Sequence, residues 1–326
     1  MQKLKKLQKP TTMKTQIRSL TLAITMATAS ISSFAATDAP HVKNPKYDAS
    51  ILVKEAFNNV SKNYEKEDSK LSAYYKETIQ KDSYIVSLNE ALIDVEKASY
   101  LSVKNDKILV KKIRKSNSVT NDPFVFKLQG GPTNVARLDI MKYSLPGCDV
   151  RKFDDMYLFE YDTPVEQDGK IFYVVKFDQK QACDEIFYKG KIYIDSESHA
   201  VAKVEFSMNV EDRGDAYLAF IKNKPSHLKI KVNEAKYVVG YKKYNGKWYY
   251  DFSRSDIDVT VKNKRDNSEQ KYTITSGMVV TNYHAASTNN SGVVFKPYEI
   301  LADKSLRGDE SLEWELYDEL MLLAML

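Results

Sequence analysis

The sequence predicts an α+β fold: a large, curved antiparallel β-sheet, open in the manner of a half-barrel, with amphipathic helices packed on one face. Three observations predict it. The stretch Lys189 to Phe206 alternates with period two: Ile192 and Ile194 against Lys191, Tyr193 and Asp195, then, after Ser196-Glu197-Ser198-His199, Ala200, Ala202, Val204 and Phe206 against Val201, Lys203 and Glu205. That pattern is a hairpin with one buried and one wet face. Asn245-Gly246 joins two further alternating runs and is the strongest short hairpin signal a sequence can carry. Ahead of the strands, Ile51, Phe57, Val60 and Tyr64 fall at helical spacing behind a cap at Asp48 or Ser50, so one amphipathic helix of about four turns must lie on something apolar. The sheet is the surface available to it.

Taken in order, residues 36–47 are polar, contain Pro40 and Pro45, and read as a flexible leader to a single sheet domain over 48–300. Leu71 to Tyr100 fits two helices or a hairpin turning at Lys81-Asp82-Ser83, and the alternation of Tyr75, Glu77 and Ile79 against Tyr74, Lys76 and Thr78 favours strands. Ile108, Val110 and Ile113 give an edge segment whose lysines discourage pairing with another chain. Gly130-Gly131-Pro132 breaks the chain before a helical stretch over Thr133 to Tyr143. The sheet then runs from Met156, through the Asp168-Gly169 turn, to a strand over Ile171–Phe177 that is apolar on both faces apart from Lys176 and reads as central. The Asn245-Gly246 turn sets Lys243 opposite Trp248, Tyr241 opposite Tyr250 and Val239 opposite Phe252. Ile257, Val259 and Val261 continue the meander, Tyr272, Ile274, Met278 and Val280 bring it back, and residues 301–326 form a C-terminal tail with a leucine stripe at Leu312, Leu316, Leu320 and Leu323 beside Trp314 and Tyr317. That helix is an interaction element or a helix docked on its own sheet.

Charge excludes polyanion binding. The whole chain carries +5, but residues 1–35 hold six basic and no acidic residues, so the body balances at 43 basic against 44 acidic. Those first residues read as a secretion signal: a basic stretch, the apolar run Leu20–Ile31, and Ser33-Phe34-Ala35 fitting cleavage between Ala35 and Ala36, with Met1 or Met13 as the start. The mature chain is expected to be exported, with no transmembrane helix. Its two cysteines, Cys148 and Cys183, are a disulfide or two separate thiols. A bridge would close a loop of about 36 residues, worth roughly 3–4 kcal/mol.

Chemistry is sparse. Four histidines (His41, His199, His227, His284) form no metal-ligand spacing, and neither a nucleophile elbow nor a phosphate loop is present. Ser226-His227-Leu228-Lys229 spells S-x-x-K without its companion motifs. The pairs Asp154-Asp155, Asp184-Glu185 and Asp195/Glu197 sit in turns, where solvation accounts for them. The expectation is no enzyme, no cofactor and no metal. The positive feature is aromatic weight, 22 Tyr, 13 Phe and 2 Trp, which either fills the core or lines an apolar face for a hydrophobic ligand. Tyr173, Phe177, Ile192, Ile194 and Phe206 are the candidate residues of such a face.

LSAYYKETIQKDSYIVSLNEALIDVEKASY, FYKGKIYIDSESHAVAKVEF and YVVGYKKYNGKWYYDFSRSDIDV together resemble the C-terminal region of exported Bacteroidota proteins called carboxypeptidase-like regulatory domain-containing, over most of Ile51 to Tyr283. The resemblance implies an envelope protein without peptidase activity, here lacking the small β-sandwich that usually precedes this region. GKIYIDSESHAVAKVEF is also similar to the periplasmic lipoprotein carriers and related sensor domains, open half-barrels that hold acyl chains beneath their helices. The two resemblances imply a cell-envelope binding protein for a lipid or acyl ligand. The alternative is an interaction module of the periplasm or outer membrane that engages a protein partner through sheet edges or the C-terminal helix.

Overall fold

The structure, a computed structural model, describes residues 37–117, 127–144, 150–180, 186–211, 213–220, 224–285, 292–306 and 314–325. The secretion signal with Ala35 and Ala36, both cysteines, Asp184-Glu185 and Leu312 lie outside the described residues.

The strands are β1 (Thr37–Asp38), β2 (Ser69–Lys81), β3 (Tyr84–Lys97), β4 (Lys107–Asn117), β5 (Tyr157–Tyr161), β6 (Val165–Gln167), β7 (Lys170–Gln179), β8 (Tyr188–Asp195), β9 (Val201–Met208), β10 (Leu228–Tyr244), β11 (Lys247–Asn263), β12 (Glu269–Ala285) and β13 (Val293–Phe295). They make one open thirteen-stranded sheet in the order β1-β6-β7-β8-β9-β10-β11-β12-β2-β3-β4-β13, with β5 paired to β7. From β6 to β12 sequence neighbours are sheet neighbours. The longest ladder between strands distant in the chain is β12 to β2, which zips Ser69–Lys81 against Tyr272–Ala285 and adds the N-terminal meander to the C-terminal one.

Turn chemistry fixes the hairpins where the sequence places them. Asn245 and Gly246 both take positive φ, 47° and 80°, the pair a type I′ turn requires. The β8–β9 turn closes when Asp195 Oδ1 accepts from Ser198 N (2.7 Å) and Ser198 Oγ (2.6 Å), with His199 at φ 54°. Beyond Asn245-Gly246 the predicted register holds for Lys243–Trp248 and Tyr241–Tyr250, then slips. Phe252 lies opposite Gly240 and Val239 opposite Ser253, because a bulge between Gly240 and Tyr241 inserts one residue. The Phe252 ring covers Gly240 so closely that a Cβ there would stand 2.1 Å from its Cε1.

The described helices are α1 (Ala49–Asn58), α2 (Val60–Asn63), α3 (Gly131–Ala136), α4 (Ile140–Tyr143), α5 (Phe153–Met156) and α6 (Trp314–Met325). Asp48 caps α1 by accepting from Ser50 N. The predicted single helix is interrupted at Asn59, where a pair of asparagines favours a break. Its buried stripe is Leu52, Val53, Ala56 and Phe57, while Ile51 faces water. Thr133–Tyr143 likewise divides into α3 and α4.

Helices α1 to α5 share the face that carries Tyr75, Val239 and Ile192, here called the inner face, and form with it one large core. α6 departs from the one-face expectation. It docks on the outer face, where Trp314, Leu320 and Met321 bury against Tyr74, Phe252 and Val279. The segment expected as a flexible leader is tied down: Thr37–Asp38 pairs with β6, Ala39 N donates to Pro164 O (2.7 Å), and Asn44 Nδ2 donates to Asp162 O (3.0 Å). β13 shields Ile108–Val110 on the β4 edge, and the opposite edge ends in the short β1, β5 and β6. β7 therefore lies one step from an edge, and its Phe172, Val174, Val175 and Phe177 are all buried.

Candidate functional site

Antiparallel register brings directly opposed residues to the same face, so the pairings trace whole rows across the sheet. One inner-face row runs Ile113, Ala91, Tyr75, Met278, Ser253, Val239, Val204, Ile192, Val175 and Tyr161. Apart from Ser253 and the tyrosine hydroxyls it is apolar, and α3 sits on it through Ser253 Oγ, which donates to Val135 O (2.8 Å). Two residues along each strand, a second row runs Lys115, Asn89, Glu77, Ser276, Ser255, Tyr237, Phe206, Gly190, Phe177 and Phe159. Polar at the β4 end, small in the middle and aromatic at the β7 end, it separates the large core from a second apolar cluster of Ile79, Ile274, Ala235 and Val259.

The polar end is organised around Glu77. Its Oε2 accepts from Tyr75 Oη (2.6 Å) and its Oε1 from Asn89 Nδ2 (3.0 Å). Only 2% of Glu77 reaches solvent. Burial pushes its carboxyl up to about 7, against the hydrogen bonds from Tyr75 and Asn89 that pull it down. Lys115 shares the row, but its ammonium donates to the carbonyls of Ala302 and Lys304. Asn89 Oδ1 and Thr133 Oγ1 are buried acceptors with no hydrogen-bond partner among the described residues. At the aromatic end Tyr237 stacks on Phe206 (centroids 5.0 Å, 24°), with Tyr188 edge-on to both rings. Burial raises the Tyr237 and Tyr188 hydroxyls, which stay protonated.

Of the predicted ligand-face residues, Tyr173, Phe177, Ile192, Ile194 and Phe206 do share the inner face. Phe177, Ile192, Ile194 and Phe206 are buried in the protein's own core, and Tyr173 is half-buried beside His199. Tyr188, Tyr237, Ile257 and Ser276 remain half-buried between the two clusters. Sequence reasoning did not single out Glu77, Asn89, Ser255 or Ser276. Their signal was present: each is a polar residue at the position where its strand's alternation calls for an apolar one.

The remaining titratable groups have structural work. Lys97, buried, bridges Asp106 (2.5 Å) and Asp139 (2.6 Å), ringed by Tyr100, Tyr143 and Tyr250 at 5.1–5.8 Å. Asp139 also accepts from Tyr241 Oη (2.8 Å), so the cluster clamps α4 and the β3–β4 loop to the sheet. Asp154 pairs with Lys54, and His199 Nδ1 lies 3.0 Å from Glu55 Oε1. Among the described residues no group of three His, Cys, Asp or Glu side chains is arranged to hold a metal ion, and no helix is long and apolar enough to cross a membrane.

No protein-family model matches the chain, and no curated protein matches it by sequence. Similar solved structures include a DUF1329 family protein from Desulfovibrio piger, at 10% identity over 75% of this chain and 96% of that one, with a TM-score of 0.31. MucB matches at 10% identity over 70% of this chain and 92% of that one (TM-score 0.24), and MucB in complex with MucA(peri) at 10% over 71% and 94% (TM-score 0.22). Scores this low carry no inference about ligand or partner. The resemblance to the exported Bacteroidota proteins finds no support in these matches.

Proposed function

We propose that the chain is a non-catalytic binding protein of the cell envelope, and that it holds an amphiphilic, acyl-bearing ligand along the second inner-face row. The observation that carries this reading is the half-buried strip of Tyr188, Tyr237, Ile257 and Ser276 between the two packed clusters, bordered by the buried Glu77–Asn89 pair on one side and the stacked Phe206 ring on the other. An apolar tail would lie on Tyr188, Tyr237 and Ile257, with a polar head toward Ser276 and the edge of the Glu77–Asn89 pair. Export rests on the basic, then apolar, N-terminus.

The test is native mass spectrometry of the mature chain purified from a bacterial periplasm, with organic extraction of bound material, alongside a Ser276→Trp variant that fills the middle of the row. A co-purifying acyl lipid that the variant loses supports the reading. A clean apo mass for the wild type, with nothing extracted, overturns it.

A second reading, a protein-interaction module, is favoured by one observation on the other face: α6 is held there by charge pairs as much as by apolar contact.

A further inference from the structure

Part of the α6 seat on the outer face is made by residues of the sheet alone. Arg114 Nη2 and Nε both donate to the Glu90 carboxylate, which is buried, and Tyr74 Oη donates to Glu90 Oε1 (2.6 Å). The Arg114–Glu90 pair joins β3 and β4 without α6, whereas the single proton of Tyr74 Oη is shared between Glu90 Oε1 and Asp318 Oδ1 of α6. The Glu90 carboxylate holds the Arg114 guanidinium and meets the Tyr74 hydroxyl beside an apolar floor of Phe252 and Val279. Preorganised cations beside a fixed aromatic surface are a receptor for an acidic, aromatic-bearing helix.

α6 fits that receptor with a short pattern. Trp314 packs under the Arg114 guanidinium (5.2 Å) and Tyr317 stacks on Tyr74 (5.4 Å, 26°). Glu315 pairs with Arg114 (3.3 Å), and Asp318 accepts from Lys76 Nζ (2.7 Å) and Tyr74 Oη (2.7 Å). Aromatics at i and i+3, acids at i+1 and i+4 and the apolar Leu320 and Met321 one turn on make up the recognition surface. Against this, docking orders a twelve-residue helix for a seal in which, among the described side chains, Trp314, Leu320 and Met321 are buried. Its ion pairs are partly solvated, with Glu315 mostly exposed, so salt weakens them. A short helix gains its stability from such packing rather than from propensity. The receptor is rigid and its occupant lightly held.

We propose that the outer-face site formed by Tyr74, Lys76, Glu90 and Arg114 is an exchangeable helix-docking site, with α6 as its resident strap, and that it accepts in trans an acidic amphipathic helix of the same aromatic–acid pattern. Charge complementarity defines the partner: its acids must meet Arg114 and Lys76, and its aromatics must cover Tyr74. A second copy of the chain carries such a helix by identity. The site lies on the face opposite the ligand row, so this inference stands or falls independently of the proposed ligand.

The experiment uses the full chain and a fluorescent peptide of residues 311–322. In the variant Trp314→Ala/Tyr317→Ala the strap loses its anchors while the receptor keeps every residue. The expected result is peptide binding at least tenfold tighter to this variant than to wild type by fluorescence anisotropy, weakening as salt rises from about 50 to 500 mM. Adding Lys76→Glu is expected to weaken binding severalfold, and a peptide carrying Asp318→Lys to recover it. Lys76 faces Glu90 across the ladder, so urea unfolding of this variant is read alongside, and recovery by the Asp318→Lys peptide separates a lost contact from a lost fold. Equal binding to wild type and variant, no binding to either, or indifference to the charge swap would each overturn the proposal. A dimer of wild type that dissociates with excess peptide would identify the partner helix as that of a second copy.

Discussion

Replacing Lys97 with Met tests whether the inner cover is held by the buried ion cluster. Lys97 is 4% exposed, and the carboxylates it bridges are as deeply placed, with side chains 3% exposed at Asp106 and 0% at Asp139. Burial alone would lower the ammonium's pKa, yet Asp139 and Asp106 reverse the effect and raise it, so it is charged throughout the working range. Methionine keeps much of the stem's volume but leaves two buried acids facing each other. Removing one partner of a buried pair costs about 3–5 kcal/mol, and the lost contact with the Tyr100, Tyr143 and Tyr250 rings adds to it. In a chain of this size about 4 kcal/mol lowers the melting midpoint by roughly 6 °C. The assay is urea unfolding followed by tryptophan fluorescence, with the triple variant Lys97→Met/Asp106→Asn/Asp139→Asn alongside. The triple variant removes every charge and is expected to regain about half the loss, since apolar or neutral replacements of a whole buried cluster are tolerated better than its amputation. A loss below about 1 kcal/mol in the single variant, or a triple variant worse than the single, would refute the clamp.

Two further outcomes follow from local geometry. Glu77 has a folded-state pKa raised to about 7, so between roughly pH 4.5 and 7 the folded chain holds a proton the unfolded chain has released, and its contribution to stability falls as pH rises through that window, by on the order of 3 kcal/mol. Glu77→Gln is expected to flatten that slope in pH-dependent urea titrations, the Asn89 amide turning its unpartnered Oδ1 toward the new donor; an unchanged slope would assign it to other groups. Gly240→Ala forces a methyl into the Phe252 ring and is expected to cost about 1–3 kcal/mol, mostly recovered when Phe252→Leu is added, as a double-mutant cycle by thermal denaturation would read.

The parts of this fold that the sequence shows are the ones governed by short-range rules. The β8–β9 and β10–β11 hairpins lie where period-two alternation and Asn-Gly chemistry place them. The slip past Tyr241 was not visible, because the bulge is set by the Phe252 ring closing on Gly240, a contact between strands. The α1 stripe was misplaced at Ile51 because spacing defines a periodicity, while the helix's contact with β5 and α5 decides which face is inside. The candidate row was hidden for the same reason. Glu77 stands far from Ser276 and Ser255 in the chain and joins them only through the β12–β2 pairing, which no local pattern announces. The side on which α6 docks depends on Arg114 and Glu90 meeting across β3 and β4, another register effect.

The same register binds the two faces together. Along β2, outward Tyr74 and Lys76 alternate with inward Tyr75 and Glu77, and on β3 outward Glu90 adjoins inward Asn89. The ladder pairs Glu77 with Asn89 and, one residue away, Lys76 with Glu90. A shift of β2 along β3 would therefore strain the inner Glu77–Asn89 bond and the outer Tyr74–Glu90 bond at once, since a one-residue slip sends every side chain to the other face. The buried bonds on both faces so reinforce a single alignment of β2 and β3. That alignment is what keeps the Glu77 site polar, and it is also what keeps the α6 seat rigid when its strap is absent.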